Sequence, residues 1–375
     1  MEAPAAQFST HQLTRVRKGE TALGTGPVKR RVTQDDVARA ANVSRSTVSL
    51  VINGRAEGQI PEETRRRVLE AVRELGYAPN VAARMLAQGS NRLIGVFTYQ
   101  QRFPFETHDF LYPFLLGIER QAAVEDYNLL LFTRAPKGGR RSVFQDGVNV
   151  LGMADGAVLM GSLTDRDELR QLVAEERPFV YVGRRDVPGC AFDWVSSDYR
   201  SGARKAASYL LAHGHRSICF TGIYFTEEPY RDRLTGCMEA VAEVPGAALH
   251  IIPDHVLDDA EAMYRFITDR DATALVCTGS RILAPLIERL APFGVAIPED
   301  LSVVALSDEG GEFPLGLQPA HVRLNSVQVG AEAVRLLVER IEGRRKEPKS
   351  VLVPCALVPG NTVATINRSD HAWSS

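Results

Sequence analysis

The chain has 375 residues, 45% of them hydrophobic and 24% charged, values typical of a globular protein of two or three domains. No apolar run approaches the roughly 18 residues that span a bilayer, and residues 1–30 lack the apolar core of a secretory signal, so we expect a cytoplasmic protein without a membrane partner. Residues 1–92 carry 15 basic and 9 acidic residues, whereas the remainder is acidic. This asymmetry indicates that one end meets a polyanion, although a solvated tail explains it equally well.

The five cysteines argue against a disulfide framework, because they are odd in number, widely spaced and set mostly in apolar sequence. They are Cys190, Cys219, Cys237, Cys277 and Cys355. We expect reduced core thiols, and neither a metal site nor another cofactor.

Two short helices joined by a tight turn are predicted from residue 33 onward. The first begins at Thr33, which forms with Asp36 a capping box that uses a shorter acid than usual. After a short turn, Ser44 is placed as the N-cap of the second helix. This arrangement is typical of a helix-turn-helix unit, whose second helix enters the DNA major groove.

A third helix is predicted after Pro61, ending at Gly76-Tyr77. Its apolar stripe consists of Val68, Ala71, Val72 and Leu75. Its outer face carries Arg65, Arg66, Arg67 and Arg73. These arginines fit phosphate contact and simple solvation equally well.

The segments VTQDDVARAANVSRSTVSLVING and IPEETRRRVLEAVRELGYAPNVAARMLAQGSNRLIGVF resemble the LacI/GalR family of transcriptional repressors. The resemblance implies a repressor that binds a near-palindromic double-stranded DNA operator as a homodimer. It places at DNA contacts Thr33, Ser44, Arg45, Ser46, Ser49, Leu50, Asn53 and Thr64. Arg45 and Ser46 match the main base-reading pair. Leu50 stands where the family commonly has arginine, so an apolar contact with a thymine methyl replaces a guanine contact.

A short helix-capable stretch over residues 80–87 follows the break at Ala78-Pro79. About two turns of isolated helix are marginal in water. The resemblance implies a hinge helix that pairs with its twin on the operator, with Asn80 and Ala83 facing DNA and Leu86 wedged into a minor-groove step. An ordinary linker with a buried leucine is the alternative.

From Leu93 onward, apolar strands buried on both faces alternate with helices, which predicts an α/β core of doubly wound parallel sheets. The predicted strands are Leu93–Phe97, Leu129–Thr133, Ala157–Met160, Phe179–Val182, Ile218–Thr221, Ala274–Cys277 and Val303–Leu306. Predicted helices include Leu111–Glu125, Arg204–Leu211 and Arg281–Leu290. The length accommodates two sheets, and the resemblance implies a periplasmic-binding-protein-like core whose two subdomains close on a small-molecule effector.

The predicted organisation has five parts. They are a basic disordered tail (1–30), an all-α helix-turn-helix domain (31–77), a hinge helix and linker (78–91), an effector-binding and dimerisation core of two subdomains (92–363) and a second tail (364–375). The short polar end after Val363 has no leucine heptads, which argues against a coiled coil joining two dimers.

The effector cleft is expected where strands of the core end. Arg233 matches the arginine that commonly holds effector hydroxyls or carboxylates in the family, and a surface arginine is the alternative. Weaker candidates, each of which equally fits an ordinary place in a loop, are Tyr99, Phe110, Tyr112, Ser162, Thr278, Ser307 and Asp308.

Two departures from the family bear on the effector. Thr278-Gly279 replaces a common Asn-Asp pair, and Ser307 replaces a second Asp. Because carboxylates accept pairs of hydrogen bonds from hydroxyls, their loss weakens the case for a simple sugar. A sugar or sugar derivative remains the first expectation, followed by a phosphorylated or carboxylated ligand.

Other classes of function have weaker support. No common hydrolase, phosphate-loop, dinucleotide or zinc-protease motif is present, so we do not expect an enzyme. His213 and His215 flank Gly214 before a strand, where a turn role is favoured over catalysis. A transporter's solute-binding protein would lack a recognition helix. An activator, or a regulator that requires its effector to bind DNA, stays open.

Replacing Leu86 should separate specific from non-specific binding. We expect Leu86→Ala to weaken binding to the operator far more than binding to random DNA, because a wedge acts only on a bent site. A titration against both DNAs tests this. Equal losses on the two would argue for an ordinary linker.

Overall fold

The computed structural model describes residues 32–52, 60–77, 90–107, 109–134, 140–161, 165–221, 227–308 and 313–366. The chain divides after residue 89 into two compact units. We call the described part of the first unit the head (32–77) and that of the second the body (90–366).

The head contains three helices, and both predicted N-caps are confirmed. The helices are α1 (Gln34–Ala41), α2 (Arg45–Ile52) and α3 (Glu62–Glu74). The backbone N–H of Thr33 donates to Asp36 Oδ2 at 2.9 Å, while the N–H of Asp36 donates to Thr33 Oγ1 at 3.4 Å. At α2, Thr47 N–H donates to Ser44 Oγ at 3.1 Å. Each cap satisfies an N–H group that the helix itself leaves without a partner.

The end of α3 differs from the predicted apolar face of this helix at one residue, Leu75. Leu75 is 38% exposed, whereas Tyr77 is buried in the head's core. Gly76 adopts a positive φ of 60°, and the N–H of Tyr77 donates to Val72 O at 3.0 Å. This Schellman motif reverses the chain and returns Tyr77 to the core in place of Leu75.

The body contains two six-stranded sheets, which confirms the predicted α/β core. The first sheet has the order β13-β7-β6-β5-β1-β2 and is wholly parallel. Its strands are β1 (Leu93–Thr98), β2 (Asn128–Phe132), β5 (Gly156–Met160), β6 (Phe179–Val182), β7 (Asp193–Ser197) and β13 (Ser350–Val353). A two-stranded hairpin consists of β3 (Phe144–Gln145) and β4 (Val148–Asn149).

The second sheet has the order β14-β12-β11-β10-β8-β9. Its strands are β8 (Ser217–Thr221), β9 (Ala248–Ile251), β10 (Ala274–Cys277), β11 (Ser302–Ala305), β12 (Ala320–Arg323) and β14 (Ala356–Val358). Among the described strands of this sheet, β14 alone departs from the predicted parallel arrangement, because it runs antiparallel to β12 at the sheet edge. All seven predicted strands are present, with ends within one residue of those predicted.

Helices cover both faces of each sheet, so the body has two lobes. In the first lobe, α4 (Tyr112–Val124) and α11 (Ser326–Ile341) cover one face and α5 (Arg166–Ala174) the other. In the second lobe, α6 (Tyr199–Ala212) and α7 (Glu228–Ala242) cover one face. The opposite face carries α8 (Asp254–Leu257), α9 (Ala260–Thr268) and α10 (Ser280–Leu290). Helix α6 begins five residues before the predicted Arg204, because Asp198 caps it and accepts from Ser201 N–H at 3.1 Å.

The chain passes between the lobes three times, after β7, after β12 and after β13. Hydrogen bonds join these crossings to one another. Ser197 Oγ donates to Leu324 O at 2.8 Å, and Asn325 Nδ2 donates to Pro354 O at 2.7 Å. Neither lobe is therefore a continuous stretch of sequence.

The cysteines and helix lengths bear on the composition-based expectations. None of the five cysteines, all of which lie in the described ranges, forms a disulfide, and all but Cys190 are buried. Burial raises the pKa of the Cys219 and Cys237 thiols to about 12, so both remain protonated at neutral pH. No helix in the described part of the chain is long and apolar enough to cross a membrane.

Helices α4 and α11 touch backbone to backbone, at glycines. A Cβ atom added at Gly117 would lie 2.0 Å from Val327 O, and one at Gly330 would lie 2.1 Å from Phe114 O. Real Cβ atoms do not approach an oxygen so closely, and backbone cannot swing away as a flexible side chain can. These glycines set the distance between the two helices that cover the first sheet.

Gly330→Ala should destabilise the body. In an exposed helix this change stabilises by about 1 kcal/mol; here we expect a loss of about 1–3 kcal/mol in the free energy of unfolding, because the methyl group overpacks the contact. Urea denaturation measures the change. Arg335→Ala, at an exposed position of the same helix, should change it by less than about 0.5 kcal/mol. A stabilised Gly330→Ala variant would contradict the close packing.

Candidate functional sites

The outer face of α2 is open to solvent. Arg45 and Ser46 are exposed, whereas Ser49 and Leu50 are half-buried. The Arg45 guanidinium lies over α1, where its Nε donates to Gln34 Oε1 at 3.5 Å and lies 4.0 Å from a carboxylate oxygen of Asp35. The opposite face of α2 is apolar and packs into the core. A polar, solvent-facing helix on a small rigid unit has the form needed to enter a major groove.

The other residues predicted to contact DNA lie around this helix or outside the described residues. The Thr33 hydroxyl donates to Asp36 Oδ2 at 2.7 Å, and the Ser44 hydroxyl lies 2.7 Å from that of Ser46. Thr64 is half-buried in the first turn of α3. The predicted contacts outside the described residues are Asn53, Asn80, Ala83 and Leu86.

A cavity of about 430 Å³ opens between the two lobes of the body. Its walls come from the carboxyl ends of strands in both sheets, as expected for parallel α/β folds. Gln100 follows β1, Gly161 follows β5 and Arg185 follows β6 in the first lobe, while Thr278 follows β10 in the second. We call this cavity the cleft.

The structure brings together three of the eight predicted effector residues in the cleft wall, namely Arg233, Phe110 and Thr278. Asp308 lines a neighbouring cavity of about 570 Å³, which shares Phe110 with the cleft. Tyr112 is half-buried in the first turn of α4, and Ser162 lies outside the described residues.

Tyr99 and Ser307 have packing and capping roles away from the wall. Tyr99 is 2% exposed and stacks on Tyr181 with ring centroids 6.3 Å apart. Burial and then the nearby Glu168 carboxylate raise its pKa, so it is uncharged. Ser307 holds the start of α10, since Ser280 Oγ donates to Ser307 O at 2.6 Å.

Arg233 is buried in the cleft wall against aromatic rings. Its guanidinium carbon lies 4.0 Å from the ring centroid of Tyr199 and 5.6 Å from that of Tyr230. Nη1 donates to Pro229 O at 3.3 Å. Burial raises the pKa of Tyr199, and the cation partly opposes this rise. The two tyrosines thus orient a planar donor group toward the cleft.

A second cleft arginine, Arg185, did not emerge from the sequence analysis. Its Nη2 donates to Gly161 O at 2.6 Å, and its guanidinium lies 3.9 Å from carboxylate oxygens of Glu227 and Glu228. Burial lowers the pKa of Arg185, but Tyr181 and the two glutamates raise it more, so it stays charged. The sequence offered one indication that Arg185 lies in the cleft, because it comes three residues after the end of the predicted strand Phe179–Val182.

Three buried polar atoms of the cleft residues have no hydrogen-bond partner among the described residues. They are Arg185 Nε, Arg233 Nε and Thr278 Oγ1. A buried donor without a partner costs roughly 1–3 kcal/mol. No group of three or more His, Cys, Asp and Glu side chains in the described ranges is arranged to hold a metal ion.

Ion pairs close the lobes against each other beside the cleft. Glu228, at the start of α7 in the second lobe, is fully buried and accepts from Arg166 Nη2 and from the Asp186 N–H, both at 3.0 Å. Next to it, Arg184 donates two hydrogen bonds to Asp232, at 3.1 and 2.7 Å. Both arginines belong to the first lobe. These charge-assisted contacts hold the lobes in the observed arrangement.

The histidines near β8 have the structural role that was favoured. His213 Nδ1 lies 2.8 Å from Tyr209 O. His215 is buried, with Nδ1 2.9 Å from Thr273 Oγ1 and Nε2 3.1 Å from Ala364 O. Gly214 has a positive φ of 95°. These contacts tie the end of the chain to the second sheet.

Two family descriptions match this chain, in its two units. Residues 33–80 match the bacterial regulatory proteins of the lacI family. Residues 207–363 match the periplasmic binding protein-like domain. The first match covers α1–α3, and the second covers most of the second lobe, α11 and β13.

Relatives and solved structures match both units. The chain is 30% identical over 343 residues to the transcriptional regulator CelR of Thermobifida fusca, covering 88% of this chain and 98% of CelR. It is 29% identical over 355 residues to the transcriptional repressor PurR of Vibrio parahaemolyticus, with the same coverage. A CelR–cellobiose complex matches with a TM-score of 0.58 at 25% identity, covering 88% of this chain and all of that one. A lac repressor dimer bound to operator and an anti-inducer shares the fold, with a TM-score of 0.70 at 21% identity, covering 89% and 100%.

Asp232→Asn should weaken the contact between the lobes. The side chains of Arg184 and Asp232 are only 24% and 21% exposed, so we expect the free energy of unfolding to fall by about 1–2 kcal/mol, more than for a surface pair. Glu261→Gln breaks the exposed pair with Arg265 and should cost less than about 0.5 kcal/mol. Urea denaturation compares them. Equal losses would show that the Arg184–Asp232 pair acts as an ordinary surface pair.

Proposed function

The chain belongs to the LacI family of bacterial regulatory proteins, and we propose that it represses transcription from an operator that it releases or binds in response to a small molecule. In this proposal the protein acts in the cytoplasm, at the nucleoid, as a homodimer on a near-palindromic site. One recognition helix contacts only a few base pairs, so two are needed for a specific site.

The observation that carries the proposal is the pairing of two features in one chain. The head has a helix-turn-helix whose α2 exposes Arg45 and Ser46. The body has a cleft between two lobes, and its wall contains buried polar atoms that have no hydrogen-bond partner among the described residues. The first feature suits reading of base edges, and the second suits capture of a polar small molecule.

We propose roles for individual residues on the same basis. Arg45 and Ser46 contact bases, while Thr33, Ser44, Ser49, Leu50, Asn53 and Thr64 contact DNA around them, and Asn80, Ala83 and Leu86 do so from the hinge. In the cleft, Arg233, Phe110 and Thr278 bind the effector together with Arg185 and Tyr199. For Tyr99, Tyr112, Ser307 and Asp308 the described wall offers no direct role, and Ser162 lies outside the described residues.

The effector is proposed to be a sugar or sugar derivative. A similar protein, CelR, is known in complex with cellobiose, and the volume of the cleft suits a ligand of that general size. The effector controls operator affinity only by binding the DNA-bound and free forms with different affinities. Allostery in this protein therefore depends on how the two lobes are held around the ligand.

Selection of duplexes from a random library tests the proposal. We expect the wild-type protein to enrich a near-palindromic sequence. On that sequence, Arg45→Ala should bind about 10- to 100-fold more weakly, because a base contact is lost, with little change on random DNA.

Arg39→Ala is the matched control. Arg39 is an exposed arginine of α1 whose side chain pairs with Asp36 at 3.5 Å, so the variant removes the same charge from the same unit. It should retain most of the specific affinity. No enriched sequence, or equal losses in the two variants, would contradict the proposal.

A further inference from the structure

The described wall of the cleft carries positive charge without acidic side chains. Arg185 and Arg233 both line it, and no Asp or Glu side chain among the described residues does. The remaining polar wall comes from amides and hydroxyls, which include Gln100, Gln101 and Ser196. The charge balance of the site therefore depends on how well each guanidinium is compensated by the protein.

The charge of Arg185 is compensated within the protein. Carboxylate oxygens of Glu227 and Glu228 each lie 3.9 Å from its guanidinium. Its two Nη atoms donate to the backbone oxygens of Arg184 and Gly161, both at 2.6 Å. Arg185 therefore has both an opposite charge and hydrogen bonds, leaving Nε as its only unpartnered atom on the described structure.

The charge of Arg233 is not compensated in this way. The residue is 4% exposed, and within the described ranges no carboxylate lies within 4.0 Å of its guanidinium. In the described structure its guanidinium donates one hydrogen bond, to Pro229 O, and lies over the rings of Tyr199 and Tyr230. A cation–π contact recovers about 2 kcal/mol at best, which is less than the several kcal/mol that burial of an ion costs.

From this imbalance we infer that the effector is a hydroxylated anion, a sugar acid or a sugar phosphate, whose acidic group pairs with Arg233. The inference rests on the proposed function, since it gives the ligand chemistry of the same cleft. Carboxylates and phosphates both accept two parallel hydrogen bonds from a guanidinium. Arg233 makes one hydrogen bond in the described structure, from Nη1 to Pro229 O, so most of its N–H groups remain for a ligand.

The rest of the wall favours a hydroxylated ligand over a bare anion. Gln100 and Gln101 offer amide donors and acceptors, and Thr278 Oγ1 is a buried hydroxyl without a partner in the described structure. Phe110 and Tyr230 offer apolar surface to the faces of a sugar ring. A neutral sugar would satisfy these groups and leave Arg233 without its counter-charge.

Thermal denaturation of the full chain with matched ligands tests the inference. Each hexose and pentose of the panel is offered in three forms, as the neutral sugar, as its aldonate or uronate, and as its phosphate ester. All are compared with sodium chloride and inorganic phosphate at equal ionic strength. A ligand that binds the folded state raises the melting temperature. We expect a shift from at least one anionic form and a much smaller shift from its neutral partner.

Two variants separate binding from structure. Arg233→Gln should leave the melting temperature of the ligand-free protein unchanged or higher, because a buried charge is removed, while binding of the anion weakens roughly 10- to 100-fold. Arg233→Lys keeps the charge but loses the planar fork of donors. Its affinity for the anion should therefore lie between those of the wild-type protein and Arg233→Gln. Arg270→Gln is the control, since Arg270 is an exposed arginine whose guanidinium lies 3.6 Å from the Phe266 ring centroid, away from the cleft.

Each outcome decides the question. The carboxylate and phosphate arms identify which acidic group is bound. The inference is overturned if neutral forms stabilise as much as their anions, if no anionic form shifts the melting temperature, or if inorganic phosphate alone does so equally well. A fall in ligand-free stability in Arg233→Gln with unchanged ligand response would likewise overturn it. Operator selection by the same preparation shows separately whether the proposed regulatory function holds.

Discussion

A buried carboxylate between the lobes, that of Glu228, carries the interaction on which the cleft depends. It belongs to the first turn of α7, where the helix dipole favours negative charge. Its hydrogen-bond partners, Arg166 and the backbone N–H of Asp186, both come from the first lobe. A fully buried carboxylate that lost these partners would be strongly unfavourable. The lobes therefore keep this contact, and with it the distance between the two walls of the cleft.

The same carboxylate also gives the two arginines of the cleft different electrostatic environments. Glu228 and Glu227 lie close enough to Arg185 to balance its charge, but neither forms an ion pair with Arg233. One arginine is thus part of the scaffold, and the other is available to the ligand. A guanidinium held between Tyr199 and Tyr230 has its orientation set before the ligand arrives, which lowers the entropy cost of binding.

Much of the fold could be predicted because the central strands are buried on both faces and read as apolar runs. The strands that were not predicted lack that pattern. β9 and β13 expose one or both ends at sheet edges, and β7 begins with Asp193, a residue unusual in a strand. Asp193 is buried there because Arg345 pairs with it at 2.6 Å from 152 positions away. A local sequence pattern cannot reveal that a buried aspartate is paired with an arginine so distant in the chain.

The cleft was only partly predictable for a related reason. Residues just after a strand point to alternate faces of the sheet, so closeness to a strand end does not decide which side chain lines the wall. Tyr99 turns into the core of the first lobe, whereas Gln100 reaches the cleft. Arg233 came from family resemblance, but the importance of Arg185 depends on glutamates contributed by the other lobe. The caps of α1 and α2 needed only local sequence, and they were predicted.

The three crossings between the lobes also have a consequence for biosynthesis. The first lobe needs β13 at one edge of its sheet and α11 on one face, and both are encoded after the whole of β8–β12. Until the ribosome has made residue 341, the apolar side chains of the strands that α11 later covers, among them Val158, Val180 and Val195, have no such cover. The nascent chain must carry this apolar surface through synthesis of most of the second lobe. Completion of the two lobes is thus nearly simultaneous, and a chain truncated before α11 would leave an aggregation-prone sheet face.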